Sequence, residues 1–355
     1  MRTVRIAVVG VGNLGRRFLR LLVDKEETLA AKHGLSVRVV GLADSGGTAT
    51  APSGGEFDLD HVVRWKEAGR SVSGLPGGTE AGSSMALVRD ADLDVLCEAS
   101  PVCVEKGGEP AVSLIREALT RGIHVITPNK APIVLAGAEL AELARAHGAE
   151  LRFDGTVAGG LPALYVGTRD LRGAAVRRIL AVPNLATGYV LDLLAVGTSW
   201  EDACRDATEH GILEGDGAWD LDGWDTAAKL VILARAVMDC AGSAGLDDVE
   251  RTGIRGVQTE QVRRAEAAGG VLRLLATAEA GPDPDPDCPD RLTKLNVEPV
   301  VLGPEHPLAG LGHTEMGVVF ETDIYGTITL KIDEPTPLPS AATMLRDLLD
   351  IYATV

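Results

Sequence analysis

The first 150 residues alternate short apolar runs with segments in which apolar residues recur at helical spacing. RIAVV at 5–9 is followed by a helical pattern from Leu14 to Leu22, and SVRVVGLADS gives a second strand ending near Asp44. The alternation resumes at 94–100 with DVLCEAS and continues through AVSLIREALTRG, IHVITPNK and AELAELARAHG. These repeated units predict an α/β fold with a Rossmann-type, doubly wound parallel sheet.

After residue 155 the pattern changes to longer helical segments, and strands return later in VLRLLATAEA, LNVEPVV and GVVFETDIYGTITLKI. Helices and strands grouped in this way predict an α+β domain. The expected division is a dinucleotide-binding domain over 1–150, a substrate domain over 151–334, and a C-terminal helix within 335–355 that returns to the first domain.

A glycine-rich turn, GVGNLG, follows the first predicted strand and opens the first predicted helix. Gly10 and Gly12 allow the backbone to approach a pyrophosphate at the helix N-terminus, and Gly15 allows close packing of the helix on the sheet. The turn predicts a nucleotide site that includes Asn13 and Leu14; a structural glycine turn is the alternative.

Asp44 closes the second predicted strand, where an acidic side chain commonly accepts hydrogen bonds from ribose hydroxyls. No Arg or Lys follows within several residues to meet a 2′-phosphate, so NAD is expected in preference to NADP, although a basic partner could come from elsewhere. Asp44 as a simple turn residue is the alternative. Ser100, Pro101 and Lys130 follow later strands and are expected near the same ligand.

The net charge of −17 argues against nucleic acid and anionic membranes as partners. The sequence contains no apolar run near 20 residues and no signal-peptide pattern. Its five cysteines are scattered without a C-x-x-C pair, which is typical of reduced thiols. A cytoplasmic protein is therefore expected.

The segment EGDGAWDLDGWDTAAKL, residues 214–230, places five acidic residues before a helix that carries Lys229. Asp225 and Lys229 are four apart and share a helix face, with Lys229 at the edge of an apolar stripe. Partial burial there would favour a neutral amine, while Asp225 would oppose this. The residues leave two interpretations open, a proton-transfer pair and an ordinary surface ion pair.

Several motifs together resemble those of homoserine dehydrogenases. They are TPNKAP at 127–132, DGTVAGGLP at 154–162, the acidic segment at 214–230, and HPLA at 306–309. The resemblance covers nearly the whole chain. The C-terminal regulatory domain that many members carry is expected to be absent. It implies a homodimer and an NAD(P)-dependent oxidoreductase that interconverts L-aspartate 4-semialdehyde and L-homoserine.

The resemblance also implies roles for particular residues. Lys229 would exchange a proton with the substrate oxygen, and Asp225 would orient Lys229. Lys130 would lie at the nicotinamide end of the site as a second catalytic charge. Seven further positions complete the implied substrate and cation sites: Glu214 binding the α-ammonium group, Asp220, Thr187 and Gly160 at the substrate, and the carbonyls of Val157, Gly159 and Leu161 at a structural monovalent cation.

The sequence departs from the family pattern in two places that define alternatives. NLATGY at 184–189 replaces a segment that usually reads N-G-T-T-N-Y, and this favours a different small amino or hydroxy acid as substrate. IDEPTPLPSA at 332–341 replaces a glycine-rich turn, and this favours a protein that senses NAD without turnover. Glu214, Asp225 and Lys229 together argue against the second alternative, because a protein that only binds nucleotide has little need of them.

Overall fold

A computed structural model describes residues 1–52, 55–213, 216–238, 244–281 and 291–352. The chain divides into two compact units, one formed by Met1–Gly160 with Thr336–Val355 and the other by Leu161–Pro335. Among the described residues, none of the helices combines the length and the apolar character needed to cross a membrane.

The first unit contains a seven-stranded sheet in the order β4-β3-β2-β1-β5-β6-β7. The pairs β1–β2, β1–β5, β5–β6 and β6–β7 are parallel, as predicted for a Rossmann-type sheet. Two short strands, β3 and β4, extend one edge of the sheet through antiparallel pairs and come from the segment that follows Asp44. The strands are β1 (Arg2–Val9), β2 (Leu35–Asp44), β3 (Gly47–Thr50), β4 (Gly78–Thr79), β5 (Val95–Glu98), β6 (His124–Ile126) and β7 (Leu151–Arg152).

Helices cover both faces of this sheet, and an apolar core lies on each side. The central strands read as continuous apolar runs because both of their faces are buried. Side-chain caps fix several helix starts: Asp58 accepts from the His61 N–H at α3, and Asn129 accepts from the Ala131 N–H at α6. The helices are α1 (Asn13–Asp24), α2 (Glu26–His33), α3 (Leu59–Glu67), α4 (Ser84–Asp90), α5 (Ala111–Thr120) and α6 (Lys130–Ala146).

The second unit contains a six-stranded sheet in the order β13-β12-β8-β10-β11-β9. Its long pairs are antiparallel, whereas the short β9 runs parallel to β11. This mixture of helices and an antiparallel sheet is the predicted α+β arrangement. The strands are β8 (Val176–Val182), β9 (Glu250–Arg251), β10 (Val271–Ala280), β11 (Leu292–Leu302), β12 (Glu315–Thr322) and β13 (Thr327–Asp333); the helices are α7 (Ala163–Tyr165), α8 (Leu185–Ala195), α9 (Trp200–Glu209), α10 (Ala218–Leu221), α11 (Trp224–Val237) and α12 (Thr259–Ala267).

Helix α11 lies inside the second unit rather than on its surface. Ten of its 14 residues are buried, and it contacts β8, β10, β11 and α7. The apolar stripe inferred from the sequence is therefore too narrow, because small residues such as Ala227 and Ala228 are also buried. A charged side chain on the buried face of this helix is surrounded by protein. Burying a charge costs free energy unless the charge is paired and hydrogen-bonded, so its partners matter more than they would at the surface.

The C-terminal helix α13 (Leu338–Tyr352) belongs to the first unit. It packs on α1 and on the turn Asp154–Thr156. Met344 and Leu348 are fully buried in the core that also contains Phe18. The first unit is therefore built from two separate parts of the chain, and it continues past residue 150 because β7 pairs with β6.

Candidate active site

The glycine-rich turn between β1 and α1 forms a compact bend. Gly10 has φ +94°, and a Cβ atom there would lie 2.2 Å from the Ala99 carbonyl oxygen. A Cβ on Gly15 would lie 2.3 Å from the Gly10 carbonyl oxygen, so both positions require glycine. Space is open around Gly12, the N-cap of α1. The exposed helix start and the open space beside it fit a bound pyrophosphate.

A buried carboxylate organises the strand ends next to this turn. Glu98 ends β5 with no exposed surface, and its carboxylate accepts from the Ser100 N–H at 2.9 Å, from the Ser100 hydroxyl, and from the Thr127 hydroxyl at 3.2 Å. Burial raises the pKa of Glu98, although the hydrogen bonds from Ser100, Asn129 and Thr127 oppose that shift. The sequence places Glu98 at a predicted strand end, but no role was assigned to it because a lone acid at the end of an apolar strand gives no distinctive pattern.

The other predicted nucleotide-site residues lie around these strand ends. Ser100 is half-buried, its carbonyl accepts from the Asn129 amide at 3.3 Å, and Pro101 beside it is exposed. Lys130 is the half-buried first residue of α6. Asn13 begins α1 and its side chain accepts from Arg17, whereas Leu14 packs against the core.

Asp44 has a cationic partner that lies 22 positions further along the chain. Its carboxylate contacts Lys66 Nζ and also accepts from the Ser71 hydroxyl at 2.8 Å and the Val72 N–H at 2.9 Å. Burial alone would raise the pKa of Asp44, but the hydrogen bonds from Lys66, Val72 and Ser71 outweigh it and lower the pKa. The basic residue that the local sequence lacks is thus supplied by α3.

The predicted proton-transfer pair is present on α11. Lys229 Nζ lies 2.7 Å from Asp225 Oδ2, and the two side chains are only 14% and 4% exposed. The ammonium group also donates to the Pro183 carbonyl oxygen at 2.8 Å. An ordinary surface ion pair does not fit this degree of burial. Removing one partner of such a buried pair typically costs about 3–5 kcal/mol.

Asn184 joins the carboxylates of this region and was not predicted. Its amide nitrogen donates to Asp225 Oδ2 at 2.6 Å and to Asp220 Oδ1 at 2.7 Å. Its amide oxygen accepts from the Thr187 N–H at 3.0 Å and so caps α8. Asn184 directly follows Pro183, whose carbonyl oxygen accepts from Lys229. Two consecutive residues therefore contact the Asp225–Lys229 pair, Pro183 at the lysine and Asn184 at the aspartate. The retained Asn in NLATGY was the available signal.

The remaining predicted substrate residues differ in their placement. Thr187 is buried with its hydroxyl on the Asn184 carbonyl at 3.3 Å, so that group is engaged within the start of α8. Asp220 is half-buried, and its carboxylate accepts from the Asn184 amide at 2.7 Å. Gly160 is also half-buried. Glu214 lies outside the described residues.

The predicted cation loop has an unusual backbone. Val157 is extended and buried, Ala158 has φ +51° and Gly159 has φ +57°. A non-glycine residue in the left-handed region is uncommon and is often retained for a local purpose. The Gly159 carbonyl accepts from the Thr343 hydroxyl at 3.1 Å, and Leu161 is buried. A carbonyl oxygen has two lone pairs, so this bond leaves room for a second partner.

Each unit therefore offers a distinct chemical capacity. The first combines a glycine turn, an open helix start and a buried hydrogen-bond network, which suits a dinucleotide. The second combines a buried lysine with carboxylates and an amide, which suits proton transfer to a small polar molecule.

Family models match almost all of the chain. The model for homoserine dehydrogenase matches residues 162–349, and the model for the NAD-binding domain of homoserine dehydrogenase matches residues 10–154. The chain is 31% identical to a homoserine dehydrogenase from Methanocaldococcus jannaschii, with 98% of each chain covered. It is 28% identical to an NAD(+)-dependent homoserine dehydrogenase from Pseudomonas canavaninivorans, with 99% of this chain and 97% of that protein covered.

Solved structures show the same similarity. A putative homoserine dehydrogenase from Archaeoglobus fulgidus matches with a TM-score of 0.84 and 31% identity, covering 99% of this chain and all of the other. A hyperthermophilic archaeal homoserine dehydrogenase in complex with NADPH matches with a TM-score of 0.82 and 27% identity, covering 98% and 97% of the two chains. These matches cover both units.

Proposed function

The chain belongs to the homoserine dehydrogenase family, and we propose that it interconverts L-homoserine and L-aspartate 4-semialdehyde with NAD or NADP as the hydride carrier. The observation that carries this proposal is the buried Lys229–Asp225 pair held by Asn184 and the Pro183 carbonyl. Reduction of an aldehyde builds negative charge on its oxygen, and a fixed ammonium group stabilises that charge and protonates the oxygen.

A nicotinamide cofactor bound at the glycine turn would supply the hydride chemistry, and residues of the protein would bind and move the proton. In the oxidation direction Lys229 accepts the proton of the C4 hydroxyl as the carbonyl forms. Asp225 orients the amine, and the Pro183 carbonyl fixes its second hydrogen bond. Asn184 keeps the Asp225 carboxylate in one orientation by donating to the oxygen that contacts Lys229.

The remaining roles rest on charge complementarity. A zwitterionic amino acid needs a carboxylate for its ammonium group, and Glu214 and Asp220 are proposed for this purpose. Lys130 is proposed to contact substrate or nicotinamide, with Thr187 and Gly160 forming part of the substrate wall. Gly10, Gly12 and Gly15 would hold the pyrophosphate together with the start of α1, and Ser100 and Pro101 would flank the nicotinamide side.

Three further features belong to the proposal. The left-handed backbone at Ala158 and Gly159 supports a structural monovalent cation at the carbonyls of Val157, Gly159 and Leu161. The edge strand β13 offers unpaired backbone groups for a homodimer through the sheet of the second unit. A cytoplasmic location follows from the scattered cysteines, and Cys97, Cys103 and Cys204 are free thiols in the structure.

The test is reduction of NAD⁺ and NADP⁺ by L-homoserine, followed by absorbance, for the wild type, Lys229→Ala and Lys229→Arg. We expect wild-type turnover and a loss of roughly 10²–10⁴-fold in Lys229→Ala, the usual contribution of a positioned acid–base group. The Arg variant keeps the charge but cannot give up its proton, so it should be nearly as inactive.

Three results would contradict the proposal. Turnover in Lys229→Ala within a few-fold of the wild type would exclude Lys229 as the proton donor. A wild type that is silent on homoserine, but active on another small amino or hydroxy alcohol in a substrate panel, would favour the substrate alternative suggested by NLATGY. Tight binding of NADH without turnover of any aldehyde would instead favour nucleotide sensing.

A further inference from the structure

The acidic segment before α11 has few internal supports. Helix α10 has only four residues and lies between Gly217 and Gly223, which have φ values of +63° and +81°. A helix this short cannot hold its own conformation in water, so its position must come from tertiary contacts. On one side Asn184 binds Asp220 and Asp225, as described above.

The segment 251–255 supports the acidic segment from another side. Arg255 Nε lies 2.8 Å from Asp222 Oδ1, and the same guanidinium group donates to the Asp216 carbonyl oxygen at 3.1 Å. One rigid side chain therefore joins two points of the acidic segment that lie on either side of α10. A guanidinium group is suited to this, because its donors diverge in a fixed plane.

Backbone and ring contacts in the same segment complete the support. The Ile254 N–H donates to the Leu221 carbonyl oxygen at 2.7 Å, and a Cβ on Gly253 would lie 2.3 Å from that oxygen. Arg251 donates to the Asp222 carbonyl oxygen, and its guanidinium carbon lies 3.7 Å from the centre of the Trp224 ring. Trp224 directly precedes Asp225.

We propose that Arg251 and Arg255 are positioning residues that hold the acidic segment 216–225 in its substrate-binding conformation. This inference rests on the proposed function, which assigns Asp220 and Asp225 to the active site. The Arg255 and Asp222 side chains are 42% and 38% exposed, and pairs this exposed contribute little to global stability. Their effect should therefore be local to the segment.

Arg264 provides a matched control within the same feature. Arg251, Arg255 and Arg264 all line one cavity of about 980 Å³ in the second unit. Arg264, however, pairs with Glu260 of its own helix at 3.1 Å and, among the described residues, makes no hydrogen bond or ion pair to the acidic segment. Arg264→Ala removes the same charge from the same cavity without removing the support.

The experiment combines hydrogen–deuterium exchange of the whole chain with steady-state kinetics for wild type, Arg255→Ala, Arg255→Lys and Arg264→Ala. We expect faster exchange across 216–225 in Arg255→Ala alone, together with a roughly tenfold higher KM for L-homoserine and kcat within about threefold. Arg255→Lys should recover part of the KM, because it keeps the charge but reaches only one acceptor. Arg251→Ala should act in the same direction.

The two readouts separate the inference from the proposed function. Exchange is measured without substrate, so it tests the support even if L-homoserine is not turned over. Unchanged exchange in Arg255→Ala would overturn the inference whatever the substrate. Faster exchange with an unchanged KM in an active enzyme would overturn the positioning role, as would an Arg264→Ala variant that behaves like Arg255→Ala.

Discussion

Among the described residues, each unit contains one lysine–aspartate pair that is almost completely buried, and the two pairs differ in what surrounds the carboxylate. In the first unit, Asp44 contacts Lys66 with side chains 9% and 13% exposed. In the second, Asp225 contacts Lys229 with side chains 4% and 14% exposed. Burial is thus nearly the same, and burial alone cannot distinguish a structural pair from a chemical one.

The difference lies in the donors around each pair. Asp44 also accepts from the Ser71 hydroxyl and from the N–H groups of Val72 and Gly46, so its charge is satisfied by neighbours that fix a chain bend. Asp225 accepts from the Asn184 amide, and the amine of its partner Lys229 donates to the Pro183 carbonyl oxygen, so both members of the pair are held in place. The first arrangement stabilises a negative charge, whereas the second fixes the position of the Lys229 amine, as its proposed role in proton transfer requires.

Equivalent amide substitutions should separate the two pairs most clearly. Asp225→Asn keeps the shape of the side chain but leaves Lys229 without its carboxylate, so we expect kcat to fall on the order of 10²-fold. Asp44→Asn should leave kcat within a few-fold and change mainly the KM for the cofactor. Similar losses of kcat in both variants, measured with saturating cofactor, would abolish the distinction.

Removal of Lys66 should sharpen the role of the first pair. Lys66→Ala removes a cation beside Asp44, where an adenosine ribose is expected, so a 2′-phosphate would lose its partner and meet an uncompensated carboxylate. We expect the ratio of kcat/KM for NADP⁺ to that for NAD⁺ to fall by about tenfold, equivalent to about 1.4 kcal/mol. Lys25→Ala, an exposed substitution in the same unit, is the control. An unchanged ratio would make Lys66 purely structural.

Asn184 tests whether the second pair depends on its amide support. Asn184→Ala removes both the helix cap and the bridge to Asp220 and Asp225, whereas Ser199→Ala removes the cap of α9 and an exposed hydrogen bond to Asp202. Ser199→Ala should lose about 1 kcal/mol of unfolding free energy, and Asn184→Ala should lose more because two carboxylates also lose a donor. Only Asn184→Ala should raise the KM for L-homoserine, by roughly tenfold for the loss of one or two buried hydrogen bonds. Equal kinetic effects would remove Asn184 from the site.

Glu98 provides a third buried carboxylate, one whose described hydrogen bonds come from neutral groups. Burial raises the folded-state pKa of Glu98 above the ordinary 4.5. At a pH between the unfolded and the folded pKa, the folded protein binds more protons than the unfolded chain, so its stability falls as the pH rises. Glu98→Gln has no proton to lose. Between about pH 5 and 8 we expect the wild-type Tm to fall relative to the variant by on the order of 2–4 °C. A constant difference would show that the pKa is not raised.

Local patterns in the sequence were sufficient for much of the fold. The parallel sheet of the first unit was predicted because apolar strand runs, a glycine turn and helical periodicity are all short-range signals. The antiparallel strands β3 and β4 were not, because they lie in a Gly- and Ser-rich segment without alternation. The extent of burial of α11 was also missed, since the alanines beside its apolar stripe carry no polarity signal.

The sequence by itself determined the pairing of Asp225 with Lys229, because a spacing of four places both side chains on one face of any α-helix. It also determined the glycine turn, because the spacing of its three glycines is contained within six consecutive residues. Only the tertiary structure decided that Lys66 meets Asp44, that Asn184 joins two carboxylates and that Arg255 joins two points of the acidic segment. Those partners are 22 to 41 positions apart in the sequence, and they meet through tertiary packing, which no local spacing encodes.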